Sequence, residues 1–209
     1  MRVEPNRFFV LLKLAGKCFT LTIYILLFTS SYSQHVLAQP KFIFDRLSIN
    51  DGLSQSSVKC IVQDKKGFMW FGTEDGLNKY DGYEFTIYKN NPADSNSISD
   101  NNITSLQVDK SGTLWIATFN GGLNTFDPVK EEFKYIEYDP AGRKPGKDII
   151  LSMLSDHEGN IWIGTYRKGL IKYDPRENKS QRFISNPDDS TSISSNNIFS
   201  LYEDYSGTL

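Results

Sequence analysis

The feature that most constrains this chain is a unit that returns every 45 to 47 residues, marked by Trp70, Trp115 and Trp162. Ahead of each tryptophan lies a short apolar run that ends in aspartate: Val58 to Asp64, Ile103 to Asp109 and Ile150 to Asp156. A further such run goes from Ile198 to Asp204. Each aspartate is followed by a glycine, Gly67, Gly112, Gly159 and Gly207. After each tryptophan come Gly72-Thr73, Ala117-Thr118 or Gly164-Thr165, then Gly76-Leu77, Gly122-Leu123 or Gly169-Leu170, then Tyr80-Asp81, Phe126-Asp127 or Tyr173-Asp174. An aromatic segment closes each unit, at Phe85–Tyr88, Phe133–Tyr138 and Arg182–Ile184.

Each unit therefore holds four β segments, A to D, rich in β-branched and aromatic residues and separated by Gly, Asp or Pro. Asp109-Lys110-Ser111-Gly112 suits a type I turn between A and B with Gly in the left-handed position. Asp81-Gly82, Asp127-Pro128 and Asp174-Pro175 make the C–D turns, where Pro argues against a continuous strand. A four-stranded meander repeated at ~40–50 residues is the pattern of a propeller blade. The fold class is all-β, a β-propeller with blades at 57–90, 102–138 and 148–185 and the first strand of a fourth at 197–209. Phe42–Leu47 reads as a leading strand that would close the ring. Propellers usually have about four to eight blades, so the sequence reads as a piece of a longer propeller or the product of a truncated gene.

The recurring Trp marks strand B, where packing between neighbouring blades is a better reading than a ligand platform. Asp64, Asp109, Asp156 and Asp204 stand before Gly turns, which favours side chain-to-backbone bonding over metal or catalytic work.

Residues 1–38 read as a signal peptide: Lys13 and Lys17, an apolar run from Phe19 to Phe28, and cleavage near 33 or 38. The rival is an uncleaved anchor, for which the run is short. After removal near residue 33, 19 basic and 24 acidic residues remain. No basic stripe is left, so nucleic acid is not an expected partner. Cys60 is then the sole thiol, which excludes an internal disulfide or a zinc site, and its apolar neighbours mark it as a buried strand residue. His35 and His157 are isolated, so no metal, cofactor or catalytic residue is expected.

The pattern Asp-x-x-Gly-x-x-Trp-x-Gly-Thr…Gly-Leu…Tyr-Asp resembles the two-component regulator propeller repeat. Asn50-Asp51-Gly52-Leu53-Ser54, followed by Gly67 through Asn78, resembles the start of the sensor region of Bacteroidetes hybrid two-component regulators. Asn91-Pro92-x-Asp94-Ser95-x-Ser97-Ile98-Ser99 recurs as Asn186-Pro187-x-Asp189-Ser190-x-Ser192-Ile193-Ser194, and the resemblance covers about residues 42–209. Two places depart from the pattern: Ala117 replaces Gly, and the linker at Asp139–Lys147 lacks the Asn-Pro form. The resemblance implies an exported, periplasmic input module, followed in the full protein by further blades, a membrane helix, a histidine kinase and a receiver. It also implies a dimer and, in many members, a carbohydrate-fragment ligand.

In a meander the short A–B and C–D turns share one end, and the B–C loops and D–A linkers share the other. Variation falls on the second end, which singles out Glu74, Phe119, Asn120, Tyr166 and Arg167 as candidate ligand contacts. Aromatic faces can stack on sugar rings, while Asn, Glu and Arg can bond hydroxyls or a uronate. The competing readings are a propeller enzyme such as a lyase, and a non-signalling adhesive or scaffold propeller. A WD-type repeat is disfavoured because neither Gly-His nor Trp-Asp pairs occur.

Overall fold

Short apolar segments split by turn residues can only hairpin back on their neighbours, and among the described residues twelve strands do so in three antiparallel sheets. The structure, a computed structural model, describes residues 43–139 and 148–209. The signal-peptide reading of residues 1–38, and the basic linker residues up to Lys147, lie outside the described residues. Blade 1 holds β1 (Val58–Gln63), β2 (Met69–Thr73), β3 (Gly76–Tyr80) and β4 (Phe85–Tyr88). Blade 2 holds β5 (Ile103–Val108), β6 (Leu114–Thr118), β7 (Gly122–Asp127) and β8 (Glu132–Ile136). Blade 3 holds β9 (Ile150–Ser155), β10 (Ile161–Thr165), β11 (Leu170–Asp174) and β12 (Lys179–Phe183). In each sheet the strands lie in sequence order, and all three belong to one unit, Arg46–Leu209. The first strands of successive blades pack side by side, β1 on β5 and β5 on β9.

Three stretches differ from the sequence reading. The fourth strand of blade 3 starts at Lys179, earlier than Arg182, because Asn178 in a left-handed conformation (φ 51°) ends the C–D turn there. Residues 43–47 carry no strand, and neither do residues 198–203. A ladder exists only where a second strand supplies partners. The turn after residue 203 is nonetheless formed, with the Asp204 carboxylate accepting from the Ser206 and Thr208 amides.

One side chain organises each A–B turn. Oδ1 of Asp64 accepts the amides of Lys66 and Phe68, and its Oδ2 accepts the Trp70 indole N–H at 2.9 Å. Asp109 takes the Thr113 amide and the Trp115 indole at 2.8 Å. Asp156 takes the Asn160 amide and the Trp162 indole at 2.8 Å. The turn glycines are left-handed, Gly67, Gly112 and Gly159 having φ of 92°, 94° and 89°, a conformation that costs any other residue strain. Burial works against the charge on Asp109 and Asp156, but their hydrogen bonds outweigh it and hold both carboxyls below the usual range.

The clamped tryptophan then meets the next blade. Trp70 packs edge-on against Phe126 of blade 2 at 5.1 Å, and Trp115 against Tyr173 of blade 3 at 6.1 Å. Both tryptophans are buried, whereas Trp162 is half-buried and stacks on Phe183 of its own blade. The small residue two after each Trp admits the first segment of the next repeat unit. A Cβ on Gly72 would come within 2.6 Å of Ile103, and one on Gly164 within 2.8 Å of Ile198. Two apolar clusters follow, one centred on Trp70, Ile103 and Phe126 and the other on Trp115, Ile150 and Tyr173, so each core lies at a joint between blades.

Truncating Trp115 to Ala should therefore cost about 3–5 kcal/mol in denaturant unfolding. Trp162→Ala should cost clearly less, since that ring is only half-buried and stacks on Phe183 of its own blade. Equal losses at the two positions would contradict the joint.

Candidate functional site

The end of the unit opposite the A–B turns is built from three B–C loops and the D–A linkers. Beneath each loop a buried threonine closes the turn: Thr73, Thr118 and Thr165 donate to the carbonyls of Gly76, Gly122 and Gly169 at 3.0, 3.0 and 2.6 Å. The linkers bond to the loops through backbone groups. The Gly76 amide donates to Asn101, Phe119 to Asn102, Tyr166 to Ile149 and Gly169 to Asn196, at 2.8–2.9 Å. The variable loops are thus held by backbone and threonine contacts, and their side chains remain free to differ.

The Asn-Pro linkers fold on themselves in the same way twice. Ser97 Oγ accepts the Asn91 amide and donates to its carbonyl, and Ser192 does both for Asn186. Between the first linker and blade 2 lies a pocket of about 360 Å³ whose walls include Asn91, Ser95, Ser99, Asn120 and Tyr135. Two fully buried asparagines support this end from strand C. Asn78 accepts the Ser54 amide and Asn124 the Ser99 amide, and each donates back to the serine hydroxyl. Burial first, and the Glu137 charge second, push the Tyr135 phenol up to about 12, so it stays a neutral donor.

The five candidate contacts fall out differently. Glu74 is paired with Lys59 at 2.7 Å, and the same ammonium donates to Asn102. Phe119 is partly exposed. Asn120 lines the pocket, its amide held by Asp100 at 2.8 Å. Tyr166 and Arg167 lie together, with the guanidinium 4.8 Å from the ring centroid. No hydrogen bond or ring contact among the described residues joins the three loops to one another.

Two features escaped the sequence reading. The first strand of every blade carries a bulge, at Lys59, Thr104 and Leu151, which puts that side chain out of step with its ladder. The repeat alignment holds the signal, since these three second positions share no chemistry while their neighbours do. The other is an ionic cluster at blade 3. Asp148, buried, meets Arg182 at 2.7 Å and Lys168 at 3.2 Å, and Arg182 also faces Asp139 at 3.3 Å. Asp148 occupies the place of Asn101 and Asn196, and Arg182 that of Tyr135. Burial opposes the charge on Asp148, but Arg182 and Lys168 outweigh it and hold the carboxyl below its usual range. Among the described residues no group of His, Cys, Asp or Glu could hold a metal ion, and no helix is long and apolar enough to cross a membrane.

Comparison with known proteins fits this architecture. Residues 52–75, 97–120 and 144–167 match the family model of the two component regulator propeller. A 58-residue stretch is 62% identical to histidine kinase P4 of Formosa agariphila, covering 28% of this chain and 4% of that protein. The fold is similar to the extracellular domain of the hybrid two component system BT4673 from B. thetaiotaomicron. The TM-score is 0.61 at 24% identity, over 75% of this chain and 20% of that one. It is also similar to that of BT3049 from the same organism, with TM-score 0.52 at 22% identity, over 78% of this chain and 28% of that one. The chain thus spans a small part of the length of each of these relatives.

The depressed carboxyl of Asp148 contributes stability in full above its unfolded value of about 3.9, and loses it as pH falls through the lower folded value. Asp148→Asn should cost about 3–5 kcal/mol at pH 7 by leaving Arg182 poorly compensated, and should flatten the acid limb of the stability profile. Combining it with Arg182→Tyr, the pair blade 2 uses, should recover most of the loss in the same urea titration.

Proposed function

We propose that these two component regulator propeller repeats form a ligand-sensing segment of an exported signalling protein, one that responds to a carbohydrate fragment. The observation that carries this reading is the contrast between the two ends of the repeat. At one end the Asp–Trp clamp is made three times with the same atoms. At the other the loops read Glu74-Asp75, Phe119-Asn120-Gly121 and Tyr166-Arg167-Lys168 on an equally fixed backbone. A scaffold that holds its loops while varying their side chains suits recognition. The exposed Phe119 ring and the half-buried Tyr166, beside amide and charged groups, suit a hydroxylated ring.

In the same reading residues 1–38 direct export, the segment works in the periplasm, and the parent protein carries a histidine kinase that this segment controls. Dimerisation of that parent would couple ligand occupancy to the kinase. The extracellular domains of hybrid two component systems to which the fold is similar support an extracellular input role.

The test is thermal unfolding of the chain with a panel of neutral and acidic oligosaccharides. A ligand at a hundred times its Kd should stabilise the chain by about 2.7 kcal/mol. Phe119→Ala and Asn120→Ala should abolish or weaken that shift, while Lys130→Ala, in a C–D turn at the other end, should leave it intact. A panel in which no sugar shifts the transition would count against carbohydrate sensing by these loops.

A further inference from the structure

The loop end of the unit carries five cationic side chains whose partners can be followed individually. Lys59 is paired with Glu74, Lys89 with Asp75 at 2.8 Å, Lys168 with Asp148, and Arg182 with both Asp148 and Asp139. Arg167 is the exception: it is exposed, and among the described residues it has no carboxylate partner. Its position is nevertheless determined. The guanidinium carbon lies over the Tyr166 ring, 4.8 Å from its centroid, and the backbone sits at φ 63°, a left-handed conformation uncommon for a residue other than glycine. The Arg167 amide donates to Asn197 Oδ1 at 2.8 Å, and the Tyr166 amide to the Ile149 carbonyl at 2.9 Å.

The N–H groups of a guanidinium lie in its own plane, and among the described residues no carboxylate engages those of Arg167. That leaves the fork free to bind a carboxylate through two parallel hydrogen bonds. The side-chain amide nitrogen of Asn197 donates no hydrogen bond among the described residues, which places an unspent donor beside the same loop. In the equivalent loop of blade 2, Asn120 stands where Arg167 does and no cation is present. The charge is therefore a property of this one loop and not of the repeat.

We propose that the loop Tyr166-Arg167-Lys168 is a carboxylate-binding subsite, in which Arg167, lying over Tyr166, takes the acid group of a sugar acid. This rests on the carbohydrate-sensing reading above and narrows it to glycuronate-bearing ligands. The neighbouring Lys168 does not compete for the acid, because Asp148 already occupies it.

Isothermal titration of the full chain with digalacturonate, and with galactobiose as its neutral counterpart, tests the subsite. The acidic disaccharide should bind at least about tenfold more tightly, a difference that shrinks as salt is raised. Arg167→Gly, which suits the left-handed backbone and so spares the fold, should reduce digalacturonate to the level of the neutral sugar. Arg167→Lys should fall between, since a single ammonium lacks the fork. Equal binding of the two sugars, or acidic binding untouched by Arg167→Gly, would overturn the subsite and leave the broader carbohydrate reading standing. Absence of binding by either sugar would overturn the subsite and count against the sensing reading as well.

Discussion

The rest of the structure depends on a single carboxylate in each A–B turn. One of its oxygens closes the turn through backbone amides, and the other holds the indole N–H of the tryptophan six residues later. The bond satisfies a donor that would be costly to bury unpaired. It also fixes the direction of the ring, which lies against the aromatic residue on strand C of the following blade. A local turn and a long-range joint are thus made by the same few atoms. Because each core lies between blades, one blade has little to bury alone, and stability accrues joint by joint as in other repeat architectures.

This arrangement also divides the labour between the two ends of a blade. At the turn end Lys65 reaches the Lys110 carbonyl and Lys110 reaches that of His157, so even the exposed turn residues are stitched to the next blade. Substitution there disturbs a turn, a tryptophan and a neighbour together. At the loop end the holding is done by backbone groups and by a buried threonine that every blade repeats. Side chains such as Phe119, Asn120 and Arg167 can then change without loosening what carries them, and this freedom is what a recognition surface requires.

Most of the fold was legible in the sequence because the period repeats both the strand-forming residues and the punctuation between them. Trp, Gly and Asp recur at fixed offsets, and each offset corresponds to a contact made within one turn or between adjacent units. What the sequence did not disclose is what breaks the period. The bulge at Lys59 depends on a register between β1 and β2 that alternation alone does not reveal. The pairing of Lys59 with Glu74, and of Asp148 with Arg182, joins residues far apart in the chain that have no counterpart in the other blades. The left-handed backbone of Arg167 is likewise invisible in composition, because nothing in the residue type asks for it.

The same break in the period explains why the seam before blade 3 carries charge. Where Asn78 and Asn124 bind a serine of the incoming linker, blade 3 has Ile171, fully buried, and no such bond. The anchoring passes to the linker's own Asp148, which is gripped by Arg182 from strand D. A buried ion pair of this kind contributes little net stability over an apolar substitute, because desolvation offsets the attraction, but mispairing it is expensive. In a chain of near-identical blades that asymmetry matters. A linker bearing Asp148 fits over a blade bearing Arg182 and fits poorly over one bearing Ile87 or Tyr135 at the matching position. The charge thereby distinguishes one joint from the next in a fold whose repeats would otherwise be interchangeable.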